Sequence, residues 1–119
     1  MPSRRQILTA LAALPALFVT LPTKTRAQVA NISGVYQVQG RNPDGSSYAG
    51  TVTVQEGAQG NVAFSWAVGG RSYSGTGQRS GSVVTVNWGG SAPAVYVVMS
   101  DGALHGTWAN GYGLERLAR

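Results

Sequence analysis

From about residue 34 onward the chain is cut into short stretches in which apolar and polar residues alternate, each stretch ended by a turn. This feature constrains folding most. Alternation with period two puts every second side chain on one face of a strand, so a run of such strands has one apolar face to hide. In "NVAFSWAV", Val62, Phe64, Trp66 and Val68 share one face and Ala63, Ser65 and Ala67 the other. "SYAGTVTVQ" sets Tyr48, Gly50, Val52 and Val54 against Ala49, Thr51, Thr53 and Gln55, and "SVVTVNW" sets Val84, Val86 and Trp88 against Val83, Thr85 and Asn87.

The pattern predicts strands near 34–41, 47–56, 61–69, 71–79, 82–89, 94–100, 103–109 and 113–118. Turn residues separate nearly all of them: Pro43-Asp44-Gly45, Gly57 to Gly60, Gly69-Gly70, Ser80-Gly81, Gly89 to Pro93, Asp101-Gly102 and Asn110-Gly111. Asp-Gly and Asn-Gly suit two-residue hairpin turns, where both central residues take positive φ. Short links between successive strands imply a meander, and a meander with one apolar face loses its open edges by closing. The expected fold class is therefore all-β, a small antiparallel eight-stranded up-and-down β-barrel, with a β-sandwich of the same strands as the alternative. Gly50, Gly75 and Gly106 fall inside strands, in "YAGT", "YSGT" and "LHGT", where glycine permits the sharp bends of a small barrel. An outer-membrane barrel is disfavoured, because it needs longer strands and an apolar outer face.

Residues 1–27 read as an export signal and 28–119 as a single barrel domain. Arg4-Arg5 precedes the apolar run "ILTALAALPALFVTL", which Pro15 interrupts, and Thr25 and Ala27 stand before a plausible cleavage point at Gln28. Ser3-Arg4-Arg5-Gln6-Ile7-Leu8 resembles a bacterial twin-arginine signal, with Ile7 where that pattern usually has Phe; the alternatives are an ordinary secretory signal and, less favoured, a retained anchor helix. Either signal implies a periplasmic or secreted protein with no membrane span in its mature part.

The formal charge of +5 is concentrated in that segment. Beyond it, Arg41, Arg71, Arg79, Arg116 and Arg119 face Asp44, Glu56, Asp101 and Glu115, five minus four, or +1. No basic run remains for a nucleic acid or an anionic membrane. The chain has no cysteine, which excludes disulfides and thiolate chemistry.

"RNPDGSSYAGTV" gathers Asn42, Asp44, Ser46 and Ser47 around a glycine. A calcium loop needs several acidic oxygens and a closing Glu, whereas Pro-Asp-Gly is what a tight hairpin needs, so the stretch is expected to be a turn. Its surroundings resemble short exported bacterial β-barrel proteins with the pattern G-x-Y-x-V-x-G-x-N-P-D-G-S-x-Y-x-G, often labelled fibronectin-binding-like. Gly34, Tyr36, Val38, Gly40, Asn42 to Ser46, Tyr48 and Gly50 fit that pattern, and "GTGQRSG", "VNWGGSAPAVY" and "DGALHGTWANGYGLERL" extend the resemblance over nearly all of 28–119. It implies a binding or adhesion role without assigning binding residues. Gly106-Thr107-Trp108 also resembles the Gly-x-Trp corner of lipocalin- and avidin-type barrels.

No catalytic constellation is visible. His105 alternates with Leu104 and Gly106 and is expected to point outward, so its nearness in sequence to Ser100 and Asp101 does not make a triad. One histidine without ligand spacing implies no metal site, and no cofactor is expected. Glu115, in "GYGLERLAR", falls on the inner face in one reading and at the rim in the other; inside, it would need a partner such as Arg41, Arg71 or Arg79. Tyr36, Tyr48, Phe64, Trp66, Tyr73, Trp88 and Trp108, with Glu115, are the candidate ligand-binding residues of the barrel interior. The plainer expectation is that the aromatic rings simply fill a narrow core. The expected function is a non-enzymatic, monomeric binding or adhesion module acting outside the cytoplasm on a macromolecule, and the alternative is a lipocalin-like carrier of a small apolar ligand.

Overall fold

In a computed structural model that describes residues 30–119, the chain folds into eight antiparallel strands. These are β1 (Gly34–Arg41), β2 (Ser47–Glu56), β3 (Asn61–Val68), β4 (Arg71–Ser80), β5 (Val83–Asn87), β6 (Ala94–Val98), β7 (Leu104–Trp108) and β8 (Gly113–Ala118). Each strand pairs with the next, and β1 pairs with β8, from Gln37 opposite Ala118 to Arg41 opposite Leu114. That last pairing makes the sheet a closed up-and-down barrel and overturns the sandwich alternative: in a single ring of pairings no strand is left as an edge. The export segment expected at 1–27 lies outside the described residues. Among those residues, no helix is long and apolar enough to cross a membrane.

The alternation read from the sequence becomes inside and outside. Tyr36, Val38, Val52, Val54, Phe64, Val84, Val86, Tyr96, Leu104 and Leu117 are fully buried. The intervening residues, such as Gln37, Thr51, Thr53, Ser65 and Gln78, are exposed. His105 is among the exposed residues, as expected. Strands β5, β6 and β7 are shorter than expected, and Trp88 stands just past the end of β5.

The 42–46 stretch is a hairpin turn. The Asn42 carbonyl accepts from Gly45 N–H at 2.8 Å, and Asp44 Oδ1 accepts from Ser46 N–H at 2.9 Å and from the Ser46 hydroxyl at 2.6 Å. Gly45 takes φ +90°, a conformation that side chains resist. Two hydrogen bonds to Ser46 also lower the pKa of Asp44 below the ordinary carboxylate value.

Turns alternate between two ends. One end carries the 57–60, 81–82 and 99–103 connections together with residues 30–33 and Arg119, and it is closed. Ile32 is buried there, and its carbonyl accepts from the Tyr36 hydroxyl at 2.6 Å. Arg119 donates to the Tyr36 oxygen at 2.8 Å, with its guanidinium 4.8 Å from the Tyr36 ring centre. Beside them Arg79 and Glu56 form an ion pair at 3.0 Å, their side chains only 6% and 13% exposed.

Tight curvature brings backbones together on the inner face. A Cβ at Gly77 would stand 1.8 Å from the Thr85 carbonyl oxygen, and one at Gly50 would stand 2.0 Å from that of Ala67. Neither neighbour is a side chain that can swing aside. Gly77→Ala is therefore expected to cost about 1–3 kcal/mol, as overpacking does. Exposed Ser74→Ala on the same strand should stay within about 0.5 kcal/mol of the parent. Urea unfolding of both variants checks the pair.

Candidate functional site

The other end is open. Around its mouth stand the 42–46, 69–70, 88–93 and 109–112 connections, and between them a cavity of about 300 Å³ leads down into the barrel. Six aromatic side chains line it: Tyr48, Trp66, Tyr73, Trp88, Tyr96 and Trp108. Four of these form a chain of edge-to-face contacts round the rim. Tyr73 meets Trp88 at 6.3 Å, Trp88 meets Trp108 at 5.8 Å, and Trp108 meets Tyr48 at 6.3 Å between ring centres. Such contacts hold rings in fixed orientations, because the positive edge of one faces the negative face of the next. The Nε1 atoms of Trp88 and Trp108 are buried and meet no hydrogen-bond partner.

Glu115 forms the polar point of the floor. It is 8% exposed and still borders the cavity. Its Oε1 accepts from the Tyr48 hydroxyl at 2.7 Å; its Oε2 accepts from Trp66 Nε1 at 3.0 Å and from the Tyr96 hydroxyl at 2.5 Å. The backbone explains how tyrosines two strands away reach one carboxylate. Glu115 on β8 lies opposite Gly40 on β1 and Gly106 on β7, and these lie opposite Tyr48 and Tyr96 in turn. Neighbouring strands are about 4.8 Å apart, so each tyrosine must lie across the intervening residue to reach Glu115. It can do so only over glycine: a Cβ would stand 2.1 Å from the Tyr48 ring at Gly40 and 2.4 Å from the Tyr96 ring at Gly106. Trp108 lies over Gly113 in the same way.

Of the residues proposed from the sequence, Tyr48, Trp66, Tyr73, Trp88, Trp108 and Glu115 come together at this cavity. Tyr36 and Phe64 do not. Tyr36 shares their face but sits at the closed end, held by Ile32 and Arg119. Phe64 is 1% exposed and packs beneath the floor against Trp66 and Tyr96, at 5.3 and 5.5 Å. The filled core expected from ring size holds for the closed end, not for the mouth. Glu115 does not meet an arginine either: Arg79 is engaged by Glu56, Arg41 donates to the Gly45 carbonyl, and Arg71 is exposed at the rim. Tyr96 was missed because "AVYVV" is apolar throughout; Val95 and Val97 face outward, so no alternation marks Tyr96 as inward.

No family model matches the chain, and no curated protein is similar to it at a significant level. Among solved structures it is similar to a redesigned β-barrel, with a TM-score of 0.52 over 74% of this chain and 90% of that one, at 17% identity. That likeness is one of fold.

Burial first, and then the Glu115 carboxylate, raise the pKa of Tyr48 and Tyr96 above the ordinary 10.0. The folded protein thus keeps protons that the unfolded chain begins to release near pH 10.0. The resulting stabilisation is complete below that pH and is lost as the pH rises beyond it. Tyr48→Phe/Tyr96→Phe should lose stability less steeply above pH 10 than the parent does, as measured by urea unfolding at a series of alkaline pH values.

Proposed function

We propose that the protein is a non-enzymatic carrier that takes a small, largely apolar ligand into the open end of its barrel, outside the cytoplasm. The observation that carries this reading is the aromatic-lined cavity of about 300 Å³ with a single carboxylate in its floor. Small-molecule sites are concave, mostly apolar and furnished with a few placed polar groups, and this volume is at the lower end of their range. A hollow mouth favours the carrier over the macromolecule-binding role that the motif resemblance implies. The likeness of Gly106-Thr107-Trp108 to lipocalin- and avidin-type barrels points the same way. The location rests on the export-type sequence of residues 1–27.

A second reading is an adhesion-type module of the fibronectin-binding-like kind that works through its outer wall. It is supported by outward-facing Val83, Val95, Val97 and Leu114, which are 42%, 36%, 44% and 51% exposed.

Native mass spectrometry of the protein as its host produces it separates the two. For a carrier, we expect extra mass that leaves on denaturation and is sharply reduced in Trp88→Ala. A bare mass in the unmutated protein would count against the carrier and send the search to the outer wall.

A further inference from the structure

The two glutamates drawn into this barrel are treated differently, and the difference identifies a class of ligand. At the closed end Glu56 has a guanidinium 3.0 Å away. At the open end Glu115 is more buried than a surface carboxylate, and its hydrogen-bond partners are two hydroxyls and an indole N–H, all neutral. Neutral donors orient a carboxylate but do not cancel its charge, and a buried charge without a counter-charge is costly. Arg71, the basic side chain that lines this cavity, is exposed and makes no ion pair with Glu115. Above the carboxylate stand the Tyr48, Tyr73, Trp88 and Trp108 rings. Ring faces carry negative quadrupole density and attract organic cations, most strongly when water is excluded. The Glu115 carboxylate therefore puts a negative charge at the cavity floor, and the aromatic rings that line the rim above it are groups able to pack against an organic cation.

We infer that the cavity takes a small organic cation, a quaternary ammonium or alkylated amine, with its charge held among the rim rings and balanced by Glu115. This deepens the carrier reading and rests on it. The apolar groups of such a cation pack against the indoles, while its charge is too spread out to hold water tightly. The ligand supplies the positive charge that Arg79 supplies to Glu56 at the other end.

The test compares choline with its uncharged carbon isostere, in which a tert-butyl group replaces trimethylammonium, titrated by calorimetry into the purified protein as its host produces it, after dialysis. We expect choline to bind about tenfold tighter or more, from cation–π and charge attraction together. Glu115→Gln should remove most of that preference and leave the isostere's affinity nearly unchanged. Should Glu115→Gln not fold, Tyr73→Leu, at a rim position already 40% exposed, should weaken choline severalfold and the isostere much less. Equal binding of the two probes would overturn the cation inference and leave the apolar carrier standing. Binding of neither probe would also overturn it, and the carrier would then be judged on the mass measurement alone.

Discussion

Curvature governs this molecule. A ring of eight strands, several only five residues long, closes only if its inner face yields space where the wall bends. The chain yields it by omitting Cβ atoms. At Gly50 and Gly77 the freed space is taken by a neighbouring strand's backbone, and the wall bends. At Gly40 and Gly106 it is taken by aromatic rings, and a pocket floor is made. One device thus shapes the barrel and places its polar group. Without these two glycines flanking Glu115, Tyr48 and Tyr96 would have no route to it.

The two ends use the same materials to opposite effect. At the closed end the Ile32 carbonyl and the Arg119 guanidinium hold the Tyr36 hydroxyl beside the buried Ile32 side chain, and the Arg79–Glu56 ion pair sits near them. At the mouth, rings meet edge to face around the circumference and leave the axis free. Large side chains in a narrow barrel do not by themselves decide between a plug and a cup. What decides is whether they stack across the axis, as Phe64 does with Tyr96, or lean on one another around it.

The fold was largely legible because period two is a statement about faces. "NVAFSWAV" and "SYAGTVTVQ" could hide their apolar sides only in a sheet with an inside, and the Asp-Gly and Asn-Gly turns made the order of strands a meander. The site was legible only in part, because a face is not a height. Tyr36 and Tyr48 share the inner face, yet one is near the start of β1 and the other near the start of β2, at opposite ends of the barrel. The same blindness made Arg79 a plausible partner for Glu115. Its level in the ring is that of Val84, at the far end, where Glu56 waits. The run "AVYVV" lacked even the face signal, since its outward valines are as apolar as its inward tyrosine. Register supplies height, and register comes from pairing rather than from any single strand.

The β1–β8 pairing has a kinetic side. Every other strand pair joins sequence neighbours across a short turn, so those contacts form at small loop-closure cost; the seam alone must bring the beginning and end of the barrel together. Until it forms, both terminal strands carry unpaired backbone groups open to other chains. Glu115 lies on one side of that seam, facing Gly40 on the other, with Tyr48 reaching across it. The cup therefore acquires its floor in the same event that retires its last sticky edges, so a chain with a complete cavity is by construction one that has finished folding.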